Sequence, residues 1–537
     1  MTHSPATDDP EQHFTRRMWR RAQEHLAHGG IAAARGLLEA LLGRQPDHFQ
    51  ARMLLASIHL NERRVRAAST QALLAARSVP AADAEAVAAA AQCLLRCGEM
   101  VAARDLLARC DFASRPLDAA HLRLLARTHQ KLGDNPGALA VMERSFALGH
   151  DNPDLRYFHG LQLQFHGRFD AAREEMRQCL RQLPTYGRAA LALARLGKRQ
   201  PDAGRLAFLR EHIGAASQGT EEHAAFEFAQ FEELEALHEY DLAFGALERG
   251  NAIMQPRLAG EVRLDDATVE GMRRVATRAF ARGPGFAVAD GPVPIFIVGL
   301  PRSGTTVLDR MLDNHPDVVS TGERTDFPLQ LRWCADLHGD HVLDDGLLER
   351  MPDLDYAELG RRYLEQTQWR ADGRAFYVDK LPPNYLLVGL IRRALPFAPI
   401  LHMVRDPTDV CFSNYKTLFG SSYAHSYDLR EMAQHHALYC RLMAHWREVI
   451  SEGFLDIEYA QLVAAPEVML ARIFDFCGLR AVAGCSELAR NRSTVATMSC
   501  IQAREPLDAR GIDEWQRYRV QLEPLRRCLR CSGETTN

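Results

Sequence analysis

The chain has 537 residues, more than one ordinary core takes up, so at least two domains are expected, with room for roughly three. Its 47% hydrophobic and 25% charged residues are those of a globular protein able to bury sizeable cores, which excludes global disorder. A net charge of −4 excludes the sequence-wide basic field that nucleic-acid binding needs and leaves only local anion pockets, so no nucleic acid is expected as a partner.

At the N-terminus, residues 1–14 read as a polar, disordered start. Met1 to Asp9 lack the basic opening and apolar stretch of a signal peptide. No run approaches the ~20 apolar residues of a membrane span, and a cytoplasmic protein is the expectation. Twelve cysteines in a long chain without an export signal read as free thiols. Cys528 and Cys531 form a lone CxxC without a second pair at zinc-ligand spacing; no metal is expected, and the two read as buried or frayed-end thiols.

A turn followed by small residues recurs at Gly29-Gly30-Ile31-Ala32-Ala33-Ala34, Arg63-Arg64-Val65-Arg66-Ala67-Ala68 and Gly98-Glu99-Met100-Val101-Ala102-Ala103. It returns at Gly133-Asp134-Asn135-Pro136-Gly137-Ala138 and Gly167-Arg168-Phe169-Asp170-Ala171-Ala172. The steps between these anchors are 34, 35, 35 and 34 residues, and Pro46, Pro80, Pro116, Pro153 and Pro184 fall near the unit ends. In period and small-residue placement residues 15–200 resemble the tetratricopeptide repeat family of stacked helix pairs. Residues 226–250 read as a divergent last pair, which takes the helical repeat domain to about residue 280. The concave face of such an array suits a protein or peptide partner; a homodimer contact and a purely structural scaffold are equally open.

Residues 281–294 are rich in Gly and Pro and read as a linker. From 295 to 530 short apolar strands alternate with amphipathic helices, the pattern of an α/β domain with a parallel sheet, and 531–537 form a tail. Ile295-Phe296-Ile297-Val298 leads into Gly299-Leu300-Pro301-Arg302-Ser303-Gly304-Thr305-Thr306 and then into a helix, a P-loop-like context that gathers backbone N–H groups around an anion. Thr305 stands where a nucleotide-triphosphatase loop carries lysine. Arg302 can offer two donors to a phosphate or sulfate oxygen, with Ser303, Gly304, Thr305 and Thr306 completing the loop. A second strand, Pro399 to Val404, delivers Arg405 at its carboxyl end, and Ser413 follows on a helix, a candidate second anion site. Alone, Arg405-Asp406 reads more often as a local ion pair, and the element has weight only because the first loop exists.

Pro301-Arg302-Ser303-Gly304-Thr305-Thr306, and Arg405-Asp406-Pro407 with Ser413 eight residues after the arginine, resemble the two nucleotide signatures of sulfotransferases that use 3′-phosphoadenosine 5′-phosphosulfate. The resemblance covers about residues 292–530 and is closest to bacterial tetratricopeptide sulfotransferases and tyrosylprotein sulfotransferases. It implies that Arg302 to Thr306 hold the 5′-phosphosulfate and that Arg405 and Ser413 hold the 3′-phosphate. Tyr459, Ser499, Gln502 and Arg504 are implied nucleotide contacts. Glu323, in Gly322-Glu323, is the implied general base, with Asp326 as the fallback, and Lys380, in Asp379-Lys380-Leu381-Pro382, is implied to stabilise the bridging oxygen. With Arg302 these are the implied catalytic residues. A surface carboxylate and a solvated strand-end lysine are the plain alternatives for Glu323 and Lys380. Two positions depart from the family: Glu514 precedes Trp515 where a basic residue is usual, and Thr417 stands where tyrosylprotein sulfotransferases have a second arginine, beside Lys416. The implied activity is metal-free transfer of a sulfuryl group to an acceptor hydroxyl, foremost a tyrosine of a protein or peptide docked by the repeats. A nucleotide-dependent kinase and a repeat-based adaptor that senses a nucleotide are the alternatives.

Overall fold

The computed structural model describes residues 10–80, 83–110, 118–197, 202–287 and 291–534. Residues 1–9 of the polar start, Pro116, 288–290 of the linker and 535–537 of the tail lie outside them.

The repeat period is that of helix–turn–helix elements. Gly29, Gly98, Gly133 and Gly167 have φ of 76°, 80°, 96° and 74°, and Arg63 adopts 62° at the equivalent position. A left-handed residue ends one helix and turns the chain into the next, which is why four of the five anchors are glycine. Helices Pro10–Ala27 and Ile31–Arg44, Phe49–Asn61 and Val65–Ser78, and Ala84–Arg96 and Met100–Ala108 flank the first three turns; Pro153–Phe165 and Phe169–Gln182 flank the fifth. Five residues after each turn stands an alanine, Ala34, Ala68, Ala103, Ala138 or Ala172, each fully buried. A larger side chain there would overpack the helix contacts. Helix Pro10–Ala27 begins ahead of residue 15, and helix Glu523–Glu534 runs into the expected tail.

The divergent pair is Glu221–Ala236 and Tyr240–Arg257, turned by His238 at φ 63°. Every residue of the first helix from Ala224 to Glu235 is buried, its carboxylates included. Three of the four carboxylates are answered by arginines and the fourth by a phenol: Arg249 bonds Glu227 at 2.8 Å, Arg195 bonds Glu232 at 3.2 Å, Arg205 bonds Glu233 at 2.5 Å, and Tyr518 Oη donates to Glu235 at 3.1 Å.

The compact units divide the chain elsewhere than at 281–294. One comprises residues 1–134 with 326–340 and 365–367; the other comprises 135–325, 341–364 and 368–537. In the first, helix Asp326–Cys334 and the turn after it are bound to the repeats: Gln330 Nε2 donates to Gly98 O at 2.7 Å, Arg66 Nε to Trp333 O at 3.0 Å and Arg63 Nε to His338 O at 2.9 Å. The second holds the later repeats and a five-stranded sheet. Its strands are β1 (Val293–Gly299), β2 (Val318–Ser320), β3 (Phe376–Lys380), β4 (Ile400–Val404) and β5 (Phe454–Glu458). β1 thus begins inside the expected linker.

All strands pair in parallel in the order β2-β3-β1-β4-β5. β1, buried on both faces, forms the centre, and Ile295, Ile297, Leu308, Val378, Leu401 and Ile457 share one core with the helix that follows β1. The connections leave β1 toward β3 on one side and β4 on the other, so the carboxyl ends open a crevice at Gly299, Lys380 and Val404, where ligands of such sheets bind. No helix of the described residues is long and apolar enough to cross a membrane.

Candidate active site

The β1 turn is shaped by contacts that exclude side chains. Gly299 has φ 147° and Gly304 φ 103°; a Cβ on the first would lie 2.8 Å from Met403 O, and on the second 2.4 Å from the Tyr459 ring. Arg302 has φ 66°, a conformation that costs a non-glycine residue about 1–2 kcal/mol. It is braced from outside: Arg405 Nη1 donates to Arg302 O at 2.7 Å, and Asn414 Nδ2 donates to Pro301 O at 2.8 Å. The helix Thr305–Asp313 then begins with Thr305 and Thr306 buried at its amide end. Ser303 Oγ is buried and without a hydrogen-bond partner, so the loop keeps a spare polar group.

Arg302 and Arg405 meet at this loop. The Arg302 guanidinium donates to Ser413 Oγ at 3.3 Å and to Ser499 Oγ; Arg405 donates to Arg302 O and Gly511 O and lies over the Tyr459 ring, 5.2 Å from its centroid. Neither guanidinium bonds a carboxylate, and Arg405 Nε is buried without a partner. Burial, and then the charge of Arg405, hold the Arg302 pKa down at about 10. Two cations are thus gathered at the amide end of a helix with no carboxylate bonded to either, an arrangement that suits an anion.

Asp406, Pro407 and Ser413 owe their places to local rules. Asp406 caps the helix Pro407–Tyr415 by accepting from Thr408 N and Asp409 N at 2.9 Å, with Pro407 at the first helical position. The alternative of an Arg405–Asp406 ion pair is not what forms. Thr417 turns its hydroxyl back to Ser413 O at 2.8 Å, and Lys416 pairs with Glu514 at 2.6 Å. One departing position, the acid at 514, is thus answered by Lys416, the neighbour of the other, Thr417.

The reaction side lies at β2 and β3. Their pairing continues past the strands, with Thr321 Oγ1 donating to Val378 O at 2.8 Å and Lys380 N to Gly322 O at 3.4 Å. This brings Glu323 beside Lys380. Lys380, fully buried, donates Nζ to Glu323 Oε1 at 2.5 Å and to Thr306 Oγ1 at 3.4 Å. The Glu323 side chain keeps 37% of its surface exposed, so a carboxylate tied to the buried lysine still reaches solvent. Asp326, the fallback base, is buried at the start of helix Asp326–Cys334, in the compact unit of residues 1–134.

Beside Glu323 stands Tyr423, whose phenol is pushed up by burial and then by the Glu323 charge. Its ring meets Phe419 at 4.7 Å and His425 at 6.2 Å. His425 stacks on His435 at 3.5 Å, and His435 bonds Tyr385 Oη at 3.1 Å. Burial holds His425 down at about 3 and His435 well below the usual imidazole range, so both rings are neutral.

Of the residues singled out in the sequence, Thr306, Lys380 and Glu323 come together, and Arg302, Arg405, Ser413, Tyr459 and Ser499 meet at the loop. Gln502 is exposed. Arg504 spends one nitrogen on backbone, donating to Phe165 O and Ser493 O at 2.9 Å. Sequence reasoning missed Asn414, Tyr423 and Asp309. Asn414 adjoins Ser413, but nothing in the chain marks its amide as the clasp of a loop 113 residues away. Cys528 is half-buried and Cys531 exposed, and all twelve cysteines are free thiols.

A parallel sheet thus carries at its carboxyl edge a glycine turn with two guanidiniums, next to a buried lysine paired with an accessible carboxylate. Residues 294–483 match the model of the sulfotransferase family. An uncharacterised protein of Aquifex aeolicus is 27% identical over 305 residues, 54% of this chain and 39% of that protein. A protein-tyrosine sulfotransferase of Drosophila melanogaster is 28% identical over 190 residues, 34% of this chain and 37% of that protein. The chain spans about two fifths of the length of these relatives. The sulfotransferase domain from the curacin biosynthetic pathway aligns with 46% of this chain and 98% of that domain, at 18% identity and a TM-score of 0.33.

Proposed function

We propose that the protein is a sulfotransferase that uses 3′-phosphoadenosine 5′-phosphosulfate as donor and a hydroxyl, foremost a tyrosine of a protein or peptide, as acceptor. The observation that carries this reading is the pair of guanidiniums at the β1 turn, without carboxylate partners, next to the bonded Lys380–Glu323 pair. The residues fit such a donor. Ser303 Oγ and Arg405 Nε are buried polar atoms awaiting partners, and the glycines of the turn leave no room for side chains. Arg302, Ser303, Gly304, Thr305 and Thr306 would hold the 5′-phosphosulfate, and Arg405 with Ser413 the 3′-phosphate.

The nucleotide, when bound, supplies an activated sulfuryl group. Glu323 accepts the proton of the acceptor hydroxyl at its carboxylate, and Lys380 Nζ holds positive charge where negative charge develops. Tyrosine leads among acceptors because a phenol, with a pKa of about 10, gives up its proton to a nearby base more readily than an alkyl alcohol. The Drosophila relative's name supports the same choice. Thr305 in the lysine position speaks against nucleotide triphosphate chemistry.

Isothermal titration separates the readings. Adenosine 3′,5′-bisphosphate is expected to bind and ATP to bind weakly; tight ATP binding with no bisphosphate binding would overturn the proposal. Transfer from labelled donor to a panel of tyrosine peptides, glycans and small phenols then fixes the acceptor class.

A further inference from the structure

We propose that Arg504 is a positioning residue of the donor site: with Arg310 it ties residues 493–504 into a closed loop that holds Ser499, near its middle, against the Arg302 guanidinium. The family resemblance implies a direct nucleotide contact for Arg504; its bonds give it a different task. This role rests on the sulfotransferase reading for the identity of the anion.

Residues 491–501 carry no helix or strand and Gln502–Arg504 form a single 3₁₀ turn, so the place of this segment is set by individual bonds. The two ends of the loop meet at one carbonyl. Ser493 O accepts from Arg504 Nη2 at 2.9 Å and from Arg310 Nη1 at 3.2 Å. The first bond closes the loop on itself, and the second fastens the closed end to helix Thr305–Asp313, which follows the β1 turn. Asn491 Nδ2 adds bonds to Arg310 O at 3.3 Å and to Asp313 Oδ2 at 2.7 Å. Within the loop, Ser499 N donates to Thr497 Oγ1 at 3.2 Å and Ala503 N to Ser499 O at 2.9 Å, so the backbone of Ser499 is held on both sides. Val495 N donates to Phe165 O at 3.0 Å, and Val495, Cys500 and Ala503 pack with Phe165. The Ser499 hydroxyl, placed in this way, accepts from the Arg302 guanidinium.

Arg504 itself faces the repeat turn. Its Nη2 also donates to Phe165 O at 2.9 Å, its Nε is buried, and its guanidinium lies against Gly167, where a Cβ would stand 3.0 Å from the guanidinium carbon and 3.1 Å from Nη1. Arg310 is 1% exposed, with Nε and Nη2 buried and without partners. Its company is Ser493 O and the Asp313 carboxylate, 3.5 Å away. Burying a guanidinium so sparsely bonded is costly, and what it fixes is the place of the loop. A loop tied at its ends has less freedom to lose when an anion is taken up, so the tie acts on donor affinity through Ser499.

The test is a double-mutant cycle read by titration of adenosine 3′,5′-bisphosphate into the full chain, with a thermal melt of each variant. Ser499→Ala is expected to weaken binding about tenfold, the worth of one hydrogen bond to a charged group. Arg504→Gln should weaken it by about threefold to tenfold, and Arg310→Met likewise. Added to Ser499→Ala, Arg504→Gln should cost less than about twofold more, because the loop then has no hydroxyl to place. Should Arg504→Gln not melt cooperatively, Arg504→Lys, which keeps the charge and a donor, takes its place in the cycle. A loss from Arg504→Gln that is the same with and without the Ser499 hydroxyl is that of a direct nucleotide contact and overturns the inference. Parental affinity in Arg504→Gln or in Ser499→Ala overturns it too, and each of these results leaves the donor assignment standing. If the parent itself fails to bind the bisphosphate, the donor assignment falls, and this inference with it.

Discussion

Lys380 and Asp309 are both buried beside the β1 turn, but only Lys380 has an opposite charge at bonding distance. Asp309 Oδ1 has no partner, and burial raises its pKa to about 6, with Lys380 offsetting part of the rise. The folded carboxyl thus keeps its proton up to about pH 6, whereas the unfolded one loses it near 3.8. Folding therefore loses stability as pH rises through that window. Asp309→Asn should be more stable than the parent by about 2–3 kcal/mol at pH 8, with the gap closing by pH 4; urea melts at the two pH values check it, and a pH-independent gap refutes it. For Glu323, replacement by Gln keeps the hydrogen bond from Lys380 but removes the proton acceptor. Turnover should fall by at least about a hundredfold with bisphosphate affinity unchanged, and parental turnover would remove Glu323 from the mechanism. Both side chains were visible in the sequence, Glu323 through Gly322-Glu323 and Lys380 through Asp379-Lys380-Leu381-Pro382. Their bond was not, because it depends on which strands are neighbours.

At the scale of elements, the strand–turn–helix around Gly299–Thr306 and the repeat turns were legible because each is fixed by local chemistry, glycines at positive φ between apolar runs. β2 was not legible. At three residues it carries too little pattern to signal a strand, and yet it is the element that sets Glu323 beside Lys380. The Lys416–Glu514 pair was hidden for a related reason: Glu514 read as a departure and Lys416 only as the neighbour of another, and only the fold brings 416 to 514. Both side chains are mostly buried, so each change alone leaves a charge without its partner. Lys416→Glu and Glu514→Lys are each expected to lower the melting temperature, and the double swap to recover most of it, with a coupling of about 1–3 kcal/mol in a double-mutant cycle. Additive losses would mean that the pair contributes nothing.

On the scale of the whole molecule, the sequence boundary at 281–294 marks where helical repeats give way to α/β alternation, but the compact units follow packing. Residues 326–340 and 365–367 belong with residues 1–134, and residues 135–280 belong with the sheet. Composition could not reveal this, since partners such as Gln330 and Gly98 are 232 residues apart. A chain that starts at residue 281 lacks the partners of Gln330, Arg504 and Val495 and is expected to be poorly folded, with weak near-ultraviolet circular dichroism and no cooperative melt. A sharp melt from that fragment would show that the α/β part stands alone.

The interleaving also bears on synthesis. The unit begun by the first 134 residues cannot close until residue 367 has been made. At roughly 5–20 residues per second the ribosome needs on the order of ten seconds to under a minute for that stretch. Through this interval the repeat surface destined for Gln330 and Trp333 waits uncovered on the nascent chain, which makes the early repeats a natural client for holding chaperones during translation.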